Sequence, residues 1–413
     1  MTDPTAAAPP AEADGGPFAG IFDSMSQGTG DPFPMFAMLR KSAPVMQFPG
    51  GQGFWGIFRY EDCLRILRDP VTFSSMVDAT SMKGEKRPPT ILFDDPPIHT
   101  RMRGLLTAAF TPRVVEEQRE SIRENAQRMI DGMLAQDTAD VIQHLAYPLP
   151  VMVIAGMLGV QDGDMATFKR WSDAIIQNVG NALVDPSSDA IADINLEFDA
   201  YFKERLDKLR ASPEDNLLSE LVNAVDEHGG RLSTEDLLVV CRVLLVAGNE
   251  TTTGLIVNAM RVFNQFSEVL PALRKNPALI PSMVEETLRY YPPFPATIRR
   301  ASRDAEVAGV TIPKDNRMLV MLASANHDET VFDRPDDFII DREPNRHLGF
   351  GMGIHYCLGA PLARLEANIA LEILAPRITA LTIESAENDA VLRPGGPEKM
   401  VVRFEKDRAA STA

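Results

Sequence analysis

The chain has 413 residues, 45% of them hydrophobic and 24% charged, and its 58 acidic against 41 basic residues give a net charge of −17. This is the composition of an ordinary soluble globular protein, long enough for two or three average domains. The negative excess argues against nucleic acid or an anionic membrane as main partner.

Three widely spaced cysteines, Cys63, Cys241 and Cys357, form no CxxC pair. They exclude a disulfide scaffold and fit a reducing compartment. No cationic segment leads into an apolar one near the first residues, so no secretory signal is expected and a cytoplasmic location is.

Residues 1–16 hold Ala, Pro and acidic residues without a large apolar side chain and read as a disordered tail. Residues 17–405 read as one continuous folded unit without linker or repeat, and 406–413 as a polar C-terminal tail. β-like runs lie at 45–48 and 54–58. Thr111, a capping hydroxyl, followed by Pro112 opens a helix reaching 134. The longest uncharged stretch, 141–161, contains Gln143, His144, Pro148, Pro150 and two glycines, which makes a poor membrane span. Amphipathic periodicity marks helices at 191–209 and 214–226. Ser233 with Asp236 caps a long proline-free helix that continues past 260. Further β-like runs follow at 306–312, 317–322 and 400–404. This pattern predicts a mainly α fold with small peripheral β-sheets and excludes a doubly wound nucleotide-binding sheet.

The long helix has apolar flanks but a polar centre, Gly248, Asn249, Glu250, Thr251, Thr252 and Thr253. A glycine inside a helix costs about 1 kcal/mol against alanine, and a buried carboxylate costs more unless it has a partner. One reading is a packing notch beside a solvated polar face. The other is a site where a group lies close to the backbone, next to an acid and a hydroxyl that can relay protons, with local helix widening as a known device.

The strongest stretch runs from His347 to Leu374. Gly349, Gly351 and Gly353 lead to Cys357, and Gly359-Ala360-Pro361 opens a long amphipathic helix. A cysteine at a helix N-terminus is where a thiolate, both nucleophile and metal ligand, is favoured. Three functional readings stand here: a thiolate on haem iron, with Phe350 beside the sulfur and His355 at the rim; a zinc site from His347, His355 and Cys357; and a Cys–His nucleophile pair. A free loop cysteine is the fourth possibility. A dinucleotide loop is excluded, because GFGMG follows a polar segment rather than a strand.

From Phe350 to Gly359 the sequence FGMGIHYCLG resembles the cysteine-ligand signature of the cytochrome P450 haem-thiolate monooxygenases. Three further motifs agree in order. Ala247-Gly248-Asn249-Glu250-Thr251 resembles the oxygen-activating helix motif, Glu286-Thr287-Leu288-Arg289 the structural Glu-x-x-Arg, and His99-Thr100-Arg101-Met102-Arg103 the propionate-binding helix. The likeness spans about 55 to about 374 and is to the bacterial soluble branch. It implies a triangular, mostly helical fold with a small β-rich region, binding one haem b. Cys357 would be the axial metal ligand, with Phe350 and Gly359 in the same loop. Glu250 and Thr251 would steer protons to oxygen, although the family more often has Asp at the acid position. His99, Arg103, Arg299 and His355 would hold the propionates, with Arg300 competing for the place of Arg299. Glu286 and Arg289 would join Arg342 in a buried structural network that holds the loop of Cys357.

The resemblance also implies a substrate pocket over the haem, lined by Leu244, Ala247, Gly248, Phe294, Pro295, Ala296 and Thr297 and roofed by 75–92 and 174–184. Their apolar character predicts a largely apolar small organic substrate, oxidised with O2. The chain has no flavin or iron–sulfur motif, so electrons are expected from a ferredoxin with a separate reductase. Arg103, Arg113, Arg346 and Arg364 are expected to form its docking face. The protein is expected to be a monomer with no nucleic-acid or membrane partner. A haem-binding sensor, a peroxygenase or a non-oxidative haem-thiolate enzyme would not need the pair Glu250-Thr251, whose presence favours the monooxygenase.

Overall fold

The architecture is set by the helix Thr234–Gln265, 32 residues long. Its start is fixed reciprocally: Ser233 Oγ accepts from the Asp236 N–H and the Asp236 carboxylate accepts from the Ser233 N–H, both at 3.0 Å. The computed structural model describes residues 31–48, 53–76, 91–184, 192–226 and 229–407. The expected tail at 1–16, the last residues of the other tail and most of the expected roof at 75–92 lie outside them. Among the described residues this helix alone is long and apolar enough to cross a membrane by length and composition. Its flanks are covered by Pro148–Met157, Ile280–Tyr290 and Ala360–Leu374.

The apolar stretch 141–161 divides in two. A π-helical turn spans Ile142–Ala146, closed by the Tyr147 N–H donating to the Ile142 carbonyl at 3.0 Å. The helix Pro148–Met157 follows, with its proline in the first turn, where a missing N–H does no harm. Helix widening therefore occurs here and not at 248–253, which stays α-helical.

Thr111 caps as expected, its hydroxyl accepting from the Val114 N–H. The helix it opens breaks once, because the Gln118 N–H turns to the Val115 carbonyl; Pro112–Glu117 and Arg119–Leu134 result. Ala192–Ala211 forms where periodicity indicates. The helix expected at 214–226 is only Leu217–Asn223, because Asn216 caps it late and Ala224 is extended.

Among the described residues ten strands form small sheets: β1 Val45–Gln47, β2 Phe54–Ile57, β3 Phe73–Ser74, β4 Thr138–Asp140, β5 Thr297–Ala301, β6 Ala305–Val307, β7 Val310–Ile312, β8 Arg317–Val320, β9 Ile378–Glu387 and β10 Lys399–Lys406. The orders are β1-β2-β8-β5-β3, β4-β10-β9 and the hairpin β6-β7. β2 and β8 run parallel, and the other pairs among the described residues antiparallel. The fold is thus mainly α-helical with small peripheral sheets. One core surrounds the long helix, and a second, holding Cys63, Ile66 and Phe73, lies between the first sheet and the helix Tyr60–Arg68. The ordered chain also reaches beyond the expected boundary at 405: β10 includes Lys406, and Asp407 pairs with Arg274.

Candidate functional site

Cys357 lies between the glycine loop and the helix Ala360–Leu374. The loop folds back on itself, with the Cys357 N–H donating to the Phe350 carbonyl at 3.0 Å and the Gly351 N–H to the Leu348 carbonyl at 2.8 Å. Gly353 has φ +76°, and a Cβ there would lie 2.3 Å from the Leu67 carbonyl oxygen. Only glycine lets the loop approach the helix Tyr60–Arg68 this closely. Burial pushes the Cys357 thiol up; the backbone N–H groups of Gly359 and Ala360 at the start of the following helix and the charges of Arg103 and Arg364 oppose that rise.

Two clamps, one fully buried and one half-buried, hold this loop. Glu286 receives both Nε and Nη2 of Arg289 (2.9 and 2.8 Å), Nε of Arg342 (3.0 Å) and Nδ2 of Asn345 (3.1 Å). Arg289 also donates to the Asn326 carbonyl, and Asn326 Oδ1 accepts from the Leu348 N–H at 2.7 Å, which ties the network to the loop. The second clamp is one that sequence reasoning missed. Arg364 grips both oxygens of Glu285 (2.6 and 2.8 Å), and His347 Nε2 meets the same carboxylate at 3.0 Å. Burial works against that charge, but the Arg364 and His347 hydrogen bonds outweigh it and hold Glu285 down to about 2. Arg364 also lies 4.5 Å over the Phe350 ring.

His347 is therefore committed to Glu285. Among the described residues no group of three or more His, Cys, Asp or Glu could hold a metal ion, which removes the zinc reading. His355 is turned to the Ile91 carbonyl (3.2 Å) and to the His99 ring (centroids 4.2 Å) rather than into a nucleophile pair with Cys357.

That pair of rings belongs to a cluster of nitrogen donors. His99 is 1% exposed, and neither of its ring nitrogens has a hydrogen-bond partner; Nε2 of His355 has none either. Burial and the neighbouring Arg299 and His99 push His355 down to about 3, and burial with Arg103 lowers His99. Burial also lowers Arg103, and brings buried Arg299 to about 10 against the opposing charge of Asp95. Among the described residues no carboxylate is paired with Arg103 or Arg299. Positive groups that repel one another without a paired carboxylate, beside three buried imidazole nitrogens that have no hydrogen-bond partner, fit a ligand bearing carboxylates. Arg300 points elsewhere, to the Met76 carbonyl and Asp315.

On the long helix, Thr251 Oγ1 donates to the Ala247 carbonyl at 2.7 Å. Asn249, fully buried, donates to Ser172 Oγ at 3.1 Å, and Thr253 donates to the Ala146 carbonyl at 3.0 Å. The polar centre is thus largely buried and hydrogen-bonded, not a solvated face. Gly248 is a packing notch, since a Cβ there would lie 2.9 Å from Ile154 Cδ1. Burial raises the Glu250 carboxyl, with the Arg393 charge opposing.

Leu244 and Ala296 pack partly buried against the main core. Phe294 stands at the surface, 43% exposed. Thr297 opens β5 and accepts from Arg299 Nη1 at 3.2 Å. Of the four arginines expected at a docking face, Arg364 is held by Glu285, Arg113 pairs with Glu117 at 2.6 Å, and Arg103 is drawn inward near the sulfur. Arg346 remains exposed.

Comparison with known proteins agrees with this geometry. The cytochrome P450 family model matches residues 258–375. Cytochrome P450 109 of Bacillus spizizenii is 40% identical over 368 residues, 87% of each chain, and the cytochrome P450 monooxygenase PikC of Streptomyces venezuelae is 36% identical over 393 residues, 92% of each. Among solved structures, cytochrome P450 CYP109Q5 from Chondromyces apiculatus superposes with a TM-score of 0.83 at 36% identity, covering 93% of this chain and 97% of that one. CYP109E1 from Bacillus megaterium, in complex with corticosterone, gives 0.81 at 32%, covering 90% and 98%. Likeness over 87% and 92% of the chain in the first two relatives, with a family match through the segment that builds the sulfur loop, leaves one assignment: the chain belongs to the cytochrome P450 family, enzymes of general monooxygenase chemistry that use haem b.

Proposed function

We propose that this protein is a cytoplasmic, monomeric monooxygenase that inserts one atom of O2 into a largely apolar small organic molecule, taking electrons from a ferredoxin served by a separate reductase. The observation that carries the reading is Cys357 where the glycine loop meets a helix start, together with a basic cluster in which buried His99 has no hydrogen-bond partner and neither Arg103 nor Arg299 a paired carboxylate among the described residues. These residues fit haem: Cys357 would hold the iron, and His99, Arg103, Arg299 and His355 the two carboxylates. When bound, haem supplies the redox chemistry that activates O2 and oxidises an unreactive C–H bond. The Gly359 and Ala360 N–H groups stabilise negative charge on Sγ. Burial lets the Glu250 carboxyl keep its proton to higher pH than an exposed glutamate would. Thr251 Oγ1 already donates one hydrogen bond and retains lone pairs to accept a hydrogen bond from a neighbouring acid or water.

The corticosterone complex of the CYP109E1 relative supports a bulky apolar substrate. For the ferredoxin, exposed Arg65 and Arg68 on the helix that meets Gly353, together with exposed Arg346, replace the three arginines already engaged. With an acidic ferredoxin, Arg68→Glu and Arg346→Glu should raise its KM and weaken the salt dependence of turnover.

The deciding measurement is the absorption spectrum of the reduced protein under carbon monoxide. A strongly red-shifted Soret band is expected, and an imidazole-type position would overturn thiolate ligation. Thr251→Ala should then release peroxide at the expense of product. Unchanged coupling in that variant would turn the assignment towards a peroxide-driven enzyme.

A further inference from the structure

The turn joining β9 to β10 lies along one face of the long helix. Gly395 is its closest approach: with φ +73°, an added Cβ would fall 2.5 Å from Glu250 Cγ and 3.2 Å from its Oε1. One helical turn further, a Cβ on Gly254 would lie 3.1 Å from Gly395 Cα, so the two backbones nearly touch. Gly396, at φ +85°, faces Val257 in turn, and Arg261 pairs with Asp389 at the far end. The Gly395 N–H donates to the Pro293 carbonyl at 3.1 Å, which fixes the turn from a third side. Glu250, Gly254, Val257 and Arg261 recur at helical spacing, so the turn reads a single stripe of the helix and ends on its acid.

Arg393 stands two residues before Gly395. Its guanidinium pairs with Glu398 across the turn at 2.7 Å, and both side chains are partly exposed. Among the described residues Arg393 is the one charge that acts on Glu250. On this stripe Gly254 and Val257 carry no charge, and Arg261 at the far end is paired with Asp389.

We propose that the β9–β10 turn is a seat for the Glu250 side chain, in which Gly395 provides the space and Arg393 the counter-charge, making both positioning residues for the acid. The inference rests on the proposed role of Glu250 in proton delivery, and the experiment separates the two. The carboxyl band of Glu250 is followed by difference infrared titration of the haem-loaded enzyme, identified as the band lost in Glu250→Gln. The pH profile of turnover and the peroxide released per electron pair are recorded alongside.

Arg393→Gln should move the carboxyl titration and the matching limb of the profile upward by about one pH unit, and Arg393→Lys should restore both. Glu398→Gln, which frees Arg393 from its competitor, should move them downward. Gly395→Ala should increase the peroxide fraction several-fold while the red-shifted Soret band persists. An infrared titration that none of the Arg393 and Glu398 changes moves would overturn the seat. If the band shifts as expected but Glu250→Gln leaves coupling and profile intact, the seat stands and the proton-delivery role of Glu250 falls.

Discussion

Gly353 shows how much one absent methyl group can control. Alanine there would have to adopt φ +76° and press against the Leu67 carbonyl, a backbone group that cannot rotate away. Gly353→Ala should cost about 2 kcal/mol or more, seen as a lower Tm and as less than stoichiometric haem. His327 contributes to the pH dependence of stability. Burial, then the charge of Arg289, holds it down to about 3, whereas the unfolded chain protonates near 6.5. Between those values the unfolded state binds the extra proton, so stability falls as pH drops from about 6.5 towards 3, by up to about 1.4 kcal/mol per pH unit. Denaturant melts across that window should show the slope, and His327→Gln should reduce it while His355, held equally low, keeps its own share. At this scale the glycine spacing of the loop was legible. Which glycine is irreplaceable was not, because Leu67 lies far earlier in the chain, and the same distance hid the Glu285 clamp.

Elements declare themselves when their ends carry local chemistry. The cap of the long helix is complete within four residues, and the sequence named both partners. Ser233→Ala should therefore cost about 1 kcal/mol, measurable as a Tm loss that Ser233→Asp largely recovers. Where termination depends on a competing local bond, pattern alone overshoots, as with the late cap at Asn216 and the break at Gln118. The strands β3, β4, β5 and β9 went unanticipated for a different reason. β3 and β4 are two and three residues long, too short to show a period, and β5 places two arginines on a strand whose partners β3 and β8 are remote in sequence.

Across the whole molecule, the Glu286 network connects the helix Ile280–Tyr290, the segment around Asp337 and the cysteine loop through side chains with almost no exposure. Glu286→Gln would leave Arg289 buried without its counter-charge, and breaking such a pair costs about 3–5 kcal/mol. The expected outcome is a chain that retains haem poorly and melts early. Glu285→Gln, at a carboxylate 31% exposed, should cost less than Glu286→Gln, and comparing haem content in the two variants ranks the clamps. The long helix has a consequence for recombination. It touches the helix that follows the cysteine loop, the π-turn segment and the C-terminal turn, so inserting or deleting one residue within it would rotate everything downstream by about 100° and shift it by about 1.5 Å. Chimaeras with relatives should tolerate sequence exchange inside 234–265 only at equal length, and crossovers that alter length belong outside it, for instance at 267–268.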